Sequence, residues 1–144
     1  VGETKSVQGG RVVQFGQSGD TAVSHAWEKA TFADEPVVRA HVRGAVTFAR
    51  GGPNTRSVEI AIGTTAIAAL DTVRYLGVTG FPTIAVVVEG LDVLDRLNGQ
   101  YGNAPIENDS LSILGGEYLE RVFPGLDRIK DATITKTWGK RGAR

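Results

Sequence analysis

The chain has no cysteine, no methionine and only two histidines, His25 and His41, among its 144 residues. Without cysteine it can form neither disulfides nor thiolate metal sites. The stretch between the two histidines is polar and contains Asp34 and Glu35. We expect surface or turn roles for both imidazoles, and the composition predicts no metal site and no cofactor.

Long apolar runs and nucleotide-binding loops are lacking as well. No apolar stretch approaches the ~18 residues of a spanning helix, and the opening VGETK has no signal-peptide pattern. The glycine pairs at 9–10 and 51–52 are not followed by the Gly-Lys-Ser/Thr ending of a phosphate-binding loop. Because the chain begins with Val1 and contains no methionine, we expect a processed product, a fragment or an incompletely represented chain. The compartment that we expect is an organelle, a mitochondrion or a plastid.

Neither positive nor negative charge is in excess, but the charged residues are unevenly distributed along the chain. The 16 basic and 16 acidic residues cancel, whereas residues 136–144 contain four basic residues and no acidic one. A short solvated basic end is the plainer interpretation, and the alternative is docking onto an acidic surface, which we favour over nucleic acid. The candidate contact residues are Trp138, whose ring can bury apolar area on a partner, with Lys140 and Arg141.

The residues that are present fit one globular domain, with 41% hydrophobic and 22% charged residues. Short β-branched runs separated by Gly, Pro and Asn predict a mainly β fold. The predicted strands lie at 12–15, 45–48, 58–62, 84–88 and 132–137, and alternation places Val58, Ile60 and Ile62 on an inward face. Helical spacing predicts short helices at 91–97, after Gly90, and at 118–123, before Pro124.

Several stretches occur in the order and spacing of a known family. Gln14, Gly16, Gly19 and Asp20 fit a Gln-x-Gly-x-x-Gly-Asp segment. The others are GAVTFA at 44–49, GPNT at 52–55, VVEGLDVLD at 87–95, QYGNAP at 100–105, YLERVFP at 118–124, LDRIK at 126–130 and ATI at 132–134. Over residues 5–137 they resemble the cyclophilin-type peptidyl-prolyl cis-trans isomerases, in a bacterial-like and algal-like branch. The resemblance implies a β-barrel with short helices at residues 1–137, followed by a basic tail at 138–144.

The resemblance also implies which positions correspond to the family's site. Aligned back from Gln14, Ser6 stands where the family has its catalytic arginine, and Arg11 where it has an aromatic residue of the proline pocket. Glu59 stands in place of a substrate-binding glutamine, and Ala61 in place of a pocket phenylalanine. Four of the implied site positions are therefore changed.

Only Gln14 and the turn at 52–55 match the family well. Phe81 lies near the position of a histidine in the best-known members, although this branch often has phenylalanine there. Prolyl isomerisation has a barrier of ~18–20 kcal/mol, and a catalyst must hold the proline in an apolar recess while a cation polarises its amide. Losing one preorganised donor typically costs about 10²–10³ in rate. We therefore predict impaired catalysis and assign no catalytic residue.

Two further departures concern the barrel and an insertion. The family begins with two strands and a helix, whereas four residues precede Lys5 here, so the resemblance predicts a barrel that is incomplete at its N-terminus and has an exposed edge. Where the family has a short loop, residues 72–79 read TVRYLGVT. Together with residues 66–70 they predict a helix that either packs locally or forms a contact surface through Val73, Tyr75 and Leu76.

Two function classes follow. The favoured one is a catalytically impaired cyclophilin-like domain that acts as a structural or binding subunit of a larger organellar assembly, with other protein subunits as partners and no membrane span. The alternative is a divergent peptidyl-prolyl cis-trans isomerase or a peptide-binding chaperone. Isomerase activity and association with a native complex separate the two.

Overall fold

The computed structural model describes residues 2–8, 12–105 and 110–136, with side chains described for 12–105 and 113–136. The strands are β1 (Gly2–Gln8), β2 (Val12–Ser18), β3 (Ala45–Phe48), β4 (Ile60–Gly63), β5 (Arg74–Tyr75), β6 (Val78–Thr79) and β7 (Thr83–Val86). The helices are α1 (Thr21–Glu28), α2 (Ala69–Thr72), α3 (Leu91–Arg96) and α4 (Ser110–Val122). None of the helices in these ranges combines the length and apolar character that a membrane span requires.

Five strands form one antiparallel sheet in the order β1-β2-β4-β3-β7, and β5 pairs with β6 in a separate hairpin. In the central register Gln14 lies opposite Ala61, and Ala61 lies opposite Thr47. The mainly β prediction is confirmed. The described strands do not close into a barrel, because β1 and β7 are the two edges of an open sheet.

Four of the predicted strands correspond to β2, β3, β4 and β7, with small shifts at their ends. The strand predicted at 132–137 is wrong for residues 132–136, which are irregular and exposed. Their sequence suits a strand, but no sheet edge among the described residues pairs with them. A strand needs a neighbour for its backbone hydrogen bonds, so local sequence alone did not decide this segment.

The predicted inward row of β4 is also corrected. Ala61 and Gly63 are its buried positions, whereas Val58, Ile60 and Ile62 are only partly buried. The reason is that Val58 and Ile60 line a cavity of about 310 Å³, while Ile62 lines another of about 390 Å³ between the sheet and α3. These apolar side chains face hollows instead of packed neighbours.

The two predicted helices are confirmed as α3 and the C-terminal part of α4, while the insertion differs from its prediction. A helix was expected over the insertion, but α2 ends at Thr72 and the β5–β6 hairpin follows. Leu76 and Gly77 have φ values of 48° and 88°, the two successive positive angles that a tight hairpin turn of the I′ type requires. Hairpin pairing therefore replaces helical hydrogen bonds in this segment.

The two histidines have different environments. His25 is exposed in the last turn of α1, as predicted. His41 is buried, so the surface role expected for it is wrong. Its Nδ1 lies 3.1 Å from Asp71 Oδ1, and its backbone N–H donates to the same oxygen at 3.0 Å. The carboxylate of Asp71 thus compensates for the burial of the imidazole.

Within the described residues no group of three or more His, Asp or Glu side chains could hold a metal ion.

Arg43 ties the loop before β3 to α3. Its Nη2 donates to Asp95 Oδ2 at 2.8 Å and to Leu91 O at 3.0 Å, and its Nη1 donates to Thr64 O at 3.1 Å. The hydrogen bond from Arg43 lowers the pKa of the Asp95 carboxyl, and the same bond raises the pKa of the Arg43 guanidinium. Asp95 is therefore an ion-pair partner that fixes α3 to the loop.

Arg56 holds the long irregular segment that follows α1. Its side chain is 1% exposed, and its Nη1 donates to Glu35 Oε1 at 2.8 Å while its Nη2 donates to Ala33 O. The guanidinium also lies 3.6 Å from Asp34 and 4.6 Å from the centroid of the Phe32 ring. A buried cation requires such partners, because an unpaired charge is costly in the protein interior.

We predict that Arg56→Met lowers the free energy of unfolding by about 1–3 kcal/mol. The change removes the buried donor that holds Ala33 O and two carboxylates, while the partial exposure of those carboxylates limits the loss. Urea unfolding of the two proteins measures the difference. Arg96→Met is the matched control, because Arg96 pairs with Asp92 on an exposed helix face and its loss should cost within about 0.5 kcal/mol. Equal effects of the two substitutions would contradict an anchoring role for Arg56.

Candidate functional site

The centre of the sheet brings three of the predicted site positions into one row. The backbone of Ser6 in β1 lies opposite Gln14 in β2, and Gln14 lies opposite Ala61 in β4. Glu59 directly precedes β4. The side chain of Ser6 and the whole of Arg11 lie outside the described residues.

A polar cluster of amides and carboxylates occupies one side of this row. Gln14 Nε2 donates to Glu59 Oε2 at 2.7 Å, and Gln17 Nε2 donates to Glu59 Oε1 at 3.0 Å. The same amide group of Gln17 lies 3.4 Å from Glu28 Oε1 on α1. Both glutamines are buried. Glu59 is thus held by two amides at the position that the resemblance assigns to a substrate-binding glutamine.

Gln17 reaches this cluster because the strand alternation breaks at Gly16. Residues three apart in a regular strand point to opposite faces, yet Gln14 and Gln17 both contact Glu59. Gly16 has a φ of 131°, and a Cβ there would collide with the carbonyl oxygen of Val58. The sequence pattern did not identify Gln17 or Glu28 as members of this cluster. The glycine inside the predicted strand, Gly16, is the sequence feature that could have indicated the position of Gln17. No feature of the sequence indicates that Glu28 joins the cluster.

An apolar group adjoins the polar cluster. Ala61, which is 7% exposed, packs with buried Val12 and Ile67, and Leu70 packs against them. The backbone N–H of Ile67 donates to His41 O at 2.9 Å, which fixes the segment that carries Ile67 and Leu70. The methyl group of Ala61 therefore faces side chains from the segment that precedes the hairpin.

Phe81 lies two residues before β7, and the guanidinium of Arg50 lies over its ring. The Arg50 Cζ atom is 4.5 Å from the centroid of the Phe81 ring, and Arg50 Nη2 donates to Gly80 O at 2.6 Å. The Phe81 N–H donates to Leu70 O at 2.8 Å. Phe81 is thus part of the packing that holds α2 and the hairpin to the sheet.

The turn at 52–55, which matches the family well, is held by Thr55. Its Oγ1 accepts from the N–H groups of Gly51 and Gly52 at 3.0 and 2.9 Å, and donates to Gly52 O at 2.8 Å. The N–H of Asn54 donates to Asp34 Oδ2 at 2.7 Å. The turn is therefore joined to the segment that Arg56 anchors.

The predicted contact residues of the insertion are brought together on the hairpin. Val73, Tyr75 and Leu76 are all exposed, and Leu76, at 61%, stands at the tip. The tip leans toward the turn at 52–55, because a Cβ at Gly52 would lie 3.5 Å from Leu76 Cδ1. Trp138, Lys140 and Arg141 lie outside the described residues.

Chemically, the polar cluster is built around an acceptor. A carboxylate accepts hydrogen bonds and repels developing negative charge, so Glu59 cannot polarise a carbonyl group as a cation does. Gln14 directs its amide N–H group to this carboxylate. Among the described groups of the cluster, the carboxylates of Glu59 and Glu28 accept hydrogen bonds and the amides of Gln14 and Gln17 donate them.

A family model covers the residues of both the sheet and the polar cluster. A model of the family described as cyclophilin type peptidyl-prolyl cis-trans isomerase/CLD matches residues 1–114. This range contains all the strands that the structure describes, together with the polar cluster and the apolar group around Ala61. A search of curated proteins found no significant match. The chain therefore belongs to the cyclophilin-type peptidyl-prolyl cis-trans isomerase family.

Proposed function

We propose that this chain is a catalytically impaired cyclophilin-like domain that serves as a structural or binding subunit of a larger protein assembly. In this proposal residues 1–137 are the cyclophilin-like domain, residues 138–144 are a basic tail, and the assembly belongs to a mitochondrion or a plastid. The observation that carries the proposal is the packing of Ile67 and Leu70 against Val12 and Ala61. The apolar space beside Gln14 is filled by the chain's own side chains, so a substrate proline has no recess to enter.

The electrostatics of the site support the same proposal. The catalytic arginine of the family aligns with Ser6, whose backbone pairs with Gln14 in the sheet. The Glu59 carboxylate lies next to Gln14 and is negatively charged. Prolyl isomerisation uses a positive charge to polarise the amide, so this carboxylate has the opposite sign. Loss of the cation and loss of the recess act on separate requirements of catalysis, so restoring one of them leaves the other unmet.

The hairpin supplies the surface that a subunit requires. Tyr75 and Leu76 expose apolar area on the hairpin that follows α2, and aromatic and aliphatic side chains of this kind are common at the centre of protein interfaces. Arg74 is exposed on the same hairpin. In this proposal the basic tail adds an electrostatic contact with an acidic partner surface.

A divergent isomerase or peptide-binding chaperone is the second candidate. The observation in its favour is that Gln14 and the turn at 52–55 are retained in an ordered arrangement. A peptide could then bind across the Gly52 turn with Tyr75 as an apolar contact. This second function requires that the isolated chain catalyses isomerisation or binds peptides. The first proposal requires neither property.

We predict that isomerase activity on a standard Xaa-Pro peptide is near background. The physical reason is the combined loss of the cation at Ser6 and of the recess at Ala61, since loss of a single donor already costs about 10²–10³ in rate. A protease-coupled assay against an ordinary cyclophilin measures it. A catalytic efficiency within about tenfold of that reference, well inside the loss for one donor, would overturn the proposal, as would full recovery by Ser6→Arg alone.

We predict that Ala61→Phe destabilises the protein by about 1–3 kcal/mol, because an added aromatic ring must displace Ile67 or Val12. Urea unfolding measures the change. Ala66→Phe is the matched control, since Ala66 is exposed in the same segment and its substitution should stay within about 0.5 kcal/mol. A neutral or stabilising Ala61→Phe would mean that the recess is open.

We predict that two changes each reduce recovery of the chain in its native complex: replacement of Tyr75 and Leu76 by Ser, and deletion of residues 138–144. The tail contribution should weaken with salt, because exposed charges are screened within about 10 Å at 0.1 M, whereas the hairpin contribution should not. Mild purification followed by sizing measures recovery. Ile113→Ser, an exposed apolar position on α4, is the control. Wild-type assembly of both variants would place the contact elsewhere.

A further inference from the structure

The guanidinium of Arg50 has no carboxylate partner among the described residues, although Arg50 is partly buried. Its Nε and Nη1 atoms are shielded from solvent, and neither has a hydrogen-bond partner in the part of the chain that the structure describes. By contrast, Arg43 and Arg56 each bind a carboxylate. Donors of a cation that are removed from water without a partner are costly. An anion at Arg50 would therefore be stabilised.

Two weaker kinds of contact orient this guanidinium. Its Nη2 donates to Gly80 O at 2.6 Å and lies 3.5 Å from Val78 O, and its Cζ lies 4.5 Å from the centroid of the Phe81 ring. Carbonyl oxygens and a ring face attract a cation but carry no net charge. These contacts therefore hold the guanidinium at the base of the β5–β6 hairpin without neutralising it.

The β5–β6 hairpin is itself a small and strained element. Its strands have two residues each, and among the described strands they pair only with each other. A two-stranded hairpin is marginally stable by itself. Leu76 at the tip has a φ of 48°, which a bulky side chain rarely adopts, and such strain is frequent at ligand clamps and switch regions. Short strands and backbone strain both lower the free energy needed to move the hairpin away from Arg50.

Space for a ligand lies along the chain next to Arg50. Gly51 is exposed, and a Cβ there would meet no atom within 4 Å. The exposed side chains of Tyr75 and Leu76 are on the neighbouring hairpin, and Leu76 Cδ1 would lie 3.5 Å from a Cβ at Gly52. A peptide that crosses Gly51 can therefore bring a carboxylate to Arg50 while an adjacent apolar residue contacts the hairpin.

We propose that Arg50 binds a carboxylate of an acidic peptide segment, and that the β5–β6 hairpin moves aside to admit it. The carboxylate accepts hydrogen bonds from the N–H groups of Arg50 that have no partner in the present arrangement. Phe81 keeps the guanidinium oriented, and Leu76 contacts an apolar residue next to the acid. This inference deepens the proposed function by naming the chemistry of the partner segment, and it rests on that function for the existence of a partner.

The test uses the full chain and a fluorescent, end-blocked peptide, Ser-Val-Glu-Val-Ser, with fluorescence anisotropy as the measure of Kd. The matched peptide has Gln in place of Glu, which retains the size of the side chain and removes its charge. We expect the Glu peptide to bind about tenfold more tightly, the factor that one hydrogen bond to a charged group supplies. Acetate at the same concentration should not displace it, because acetate lacks the apolar contact with the hairpin.

Two substitutions with the same change of charge separate a specific site from general attraction. Arg50→Gln removes the partly buried guanidinium, whereas Arg74→Gln removes an exposed one from the hairpin. We expect about a tenfold loss of affinity for the Glu peptide in the first and less than about a threefold loss in the second.

Amide hydrogen exchange tests the movement of the hairpin in the unaltered chain, so this measurement stands even where Arg50→Gln does not fold. We expect the Glu peptide to accelerate exchange in residues 73–81, because the bond from Arg50 to Gly80 O is broken when the hairpin moves. Exchange in β2 and β4 should stay unchanged. Slower exchange in residues 73–81 would overturn the movement, since it would mean that the peptide binds to a hairpin that stays in place.

Equal binding of the Glu and Gln peptides, which a general peptide-binding chaperone would show, would overturn the inference. Equal losses in Arg50→Gln and Arg74→Gln would overturn it as well, and displacement by acetate would assign the site to a small free carboxylate instead. These outcomes are separable from failure of the proposed function. That failure would appear as isomerase activity, whereas failure at Arg50 leaves activity at background and leaves the variant of Tyr75 and Leu76 defective in assembly.

Discussion

The register between β2 and β4 is the constraint on which the rest of the site depends. It places Gln14 opposite Ala61 and brings Glu59 within 2.7 Å of the Gln14 amide. A slip of one residue would turn every side chain of the strand to the other face. The apolar group around Ile67 and the amide cluster around Glu59 would then be separated from their partners. The apolar group and the amide cluster therefore both depend on the pairing of β2 with β4.

The face of the sheet that carries Ala61 is part of the apolar core, and in the proposed function this packing takes the place of a binding recess. Ala61 has a small side chain, and Ile67 packs against it. The backbone N–H of Ile67 donates to His41 O, and the backbone N–H of His41 donates to Asp71, so these hydrogen bonds hold the segment that carries Ile67. Close packing in protein interiors favours such filling, because an empty apolar cavity loses dispersion contacts on its lining. Stability gained in this way opposes entry of a substrate side chain. Stability and the proposed loss of catalysis thus have one structural origin.

The turn at 52–55 and the segment after α1 are held by side-chain hydrogen bonds, whereas the two edge strands of the sheet each have one strand neighbour. Arg56 fixes the segment after α1, and Thr55 fixes the turn at 52–55, so the side of the sheet near Glu59 is tied down by buried polar contacts. Among the described strands, β1 and β7 are the two edges of the sheet. Edges of this kind associate unless they are covered.

Sequence by itself determined the mainly β class, the positions of β2, β3 and β7, and the family, because alternation, glycine placement and motif spacing are local properties of the chain. It did not determine that residues 132–136 lack a strand, that the insertion forms a hairpin, or that His41 is buried against Asp71. It also missed Gln17, which joins the cluster only through the break in alternation at Gly16. Each of these depends on pairing or packing between residues far apart in the chain. Only the tertiary structure decides which partners are available for such contacts.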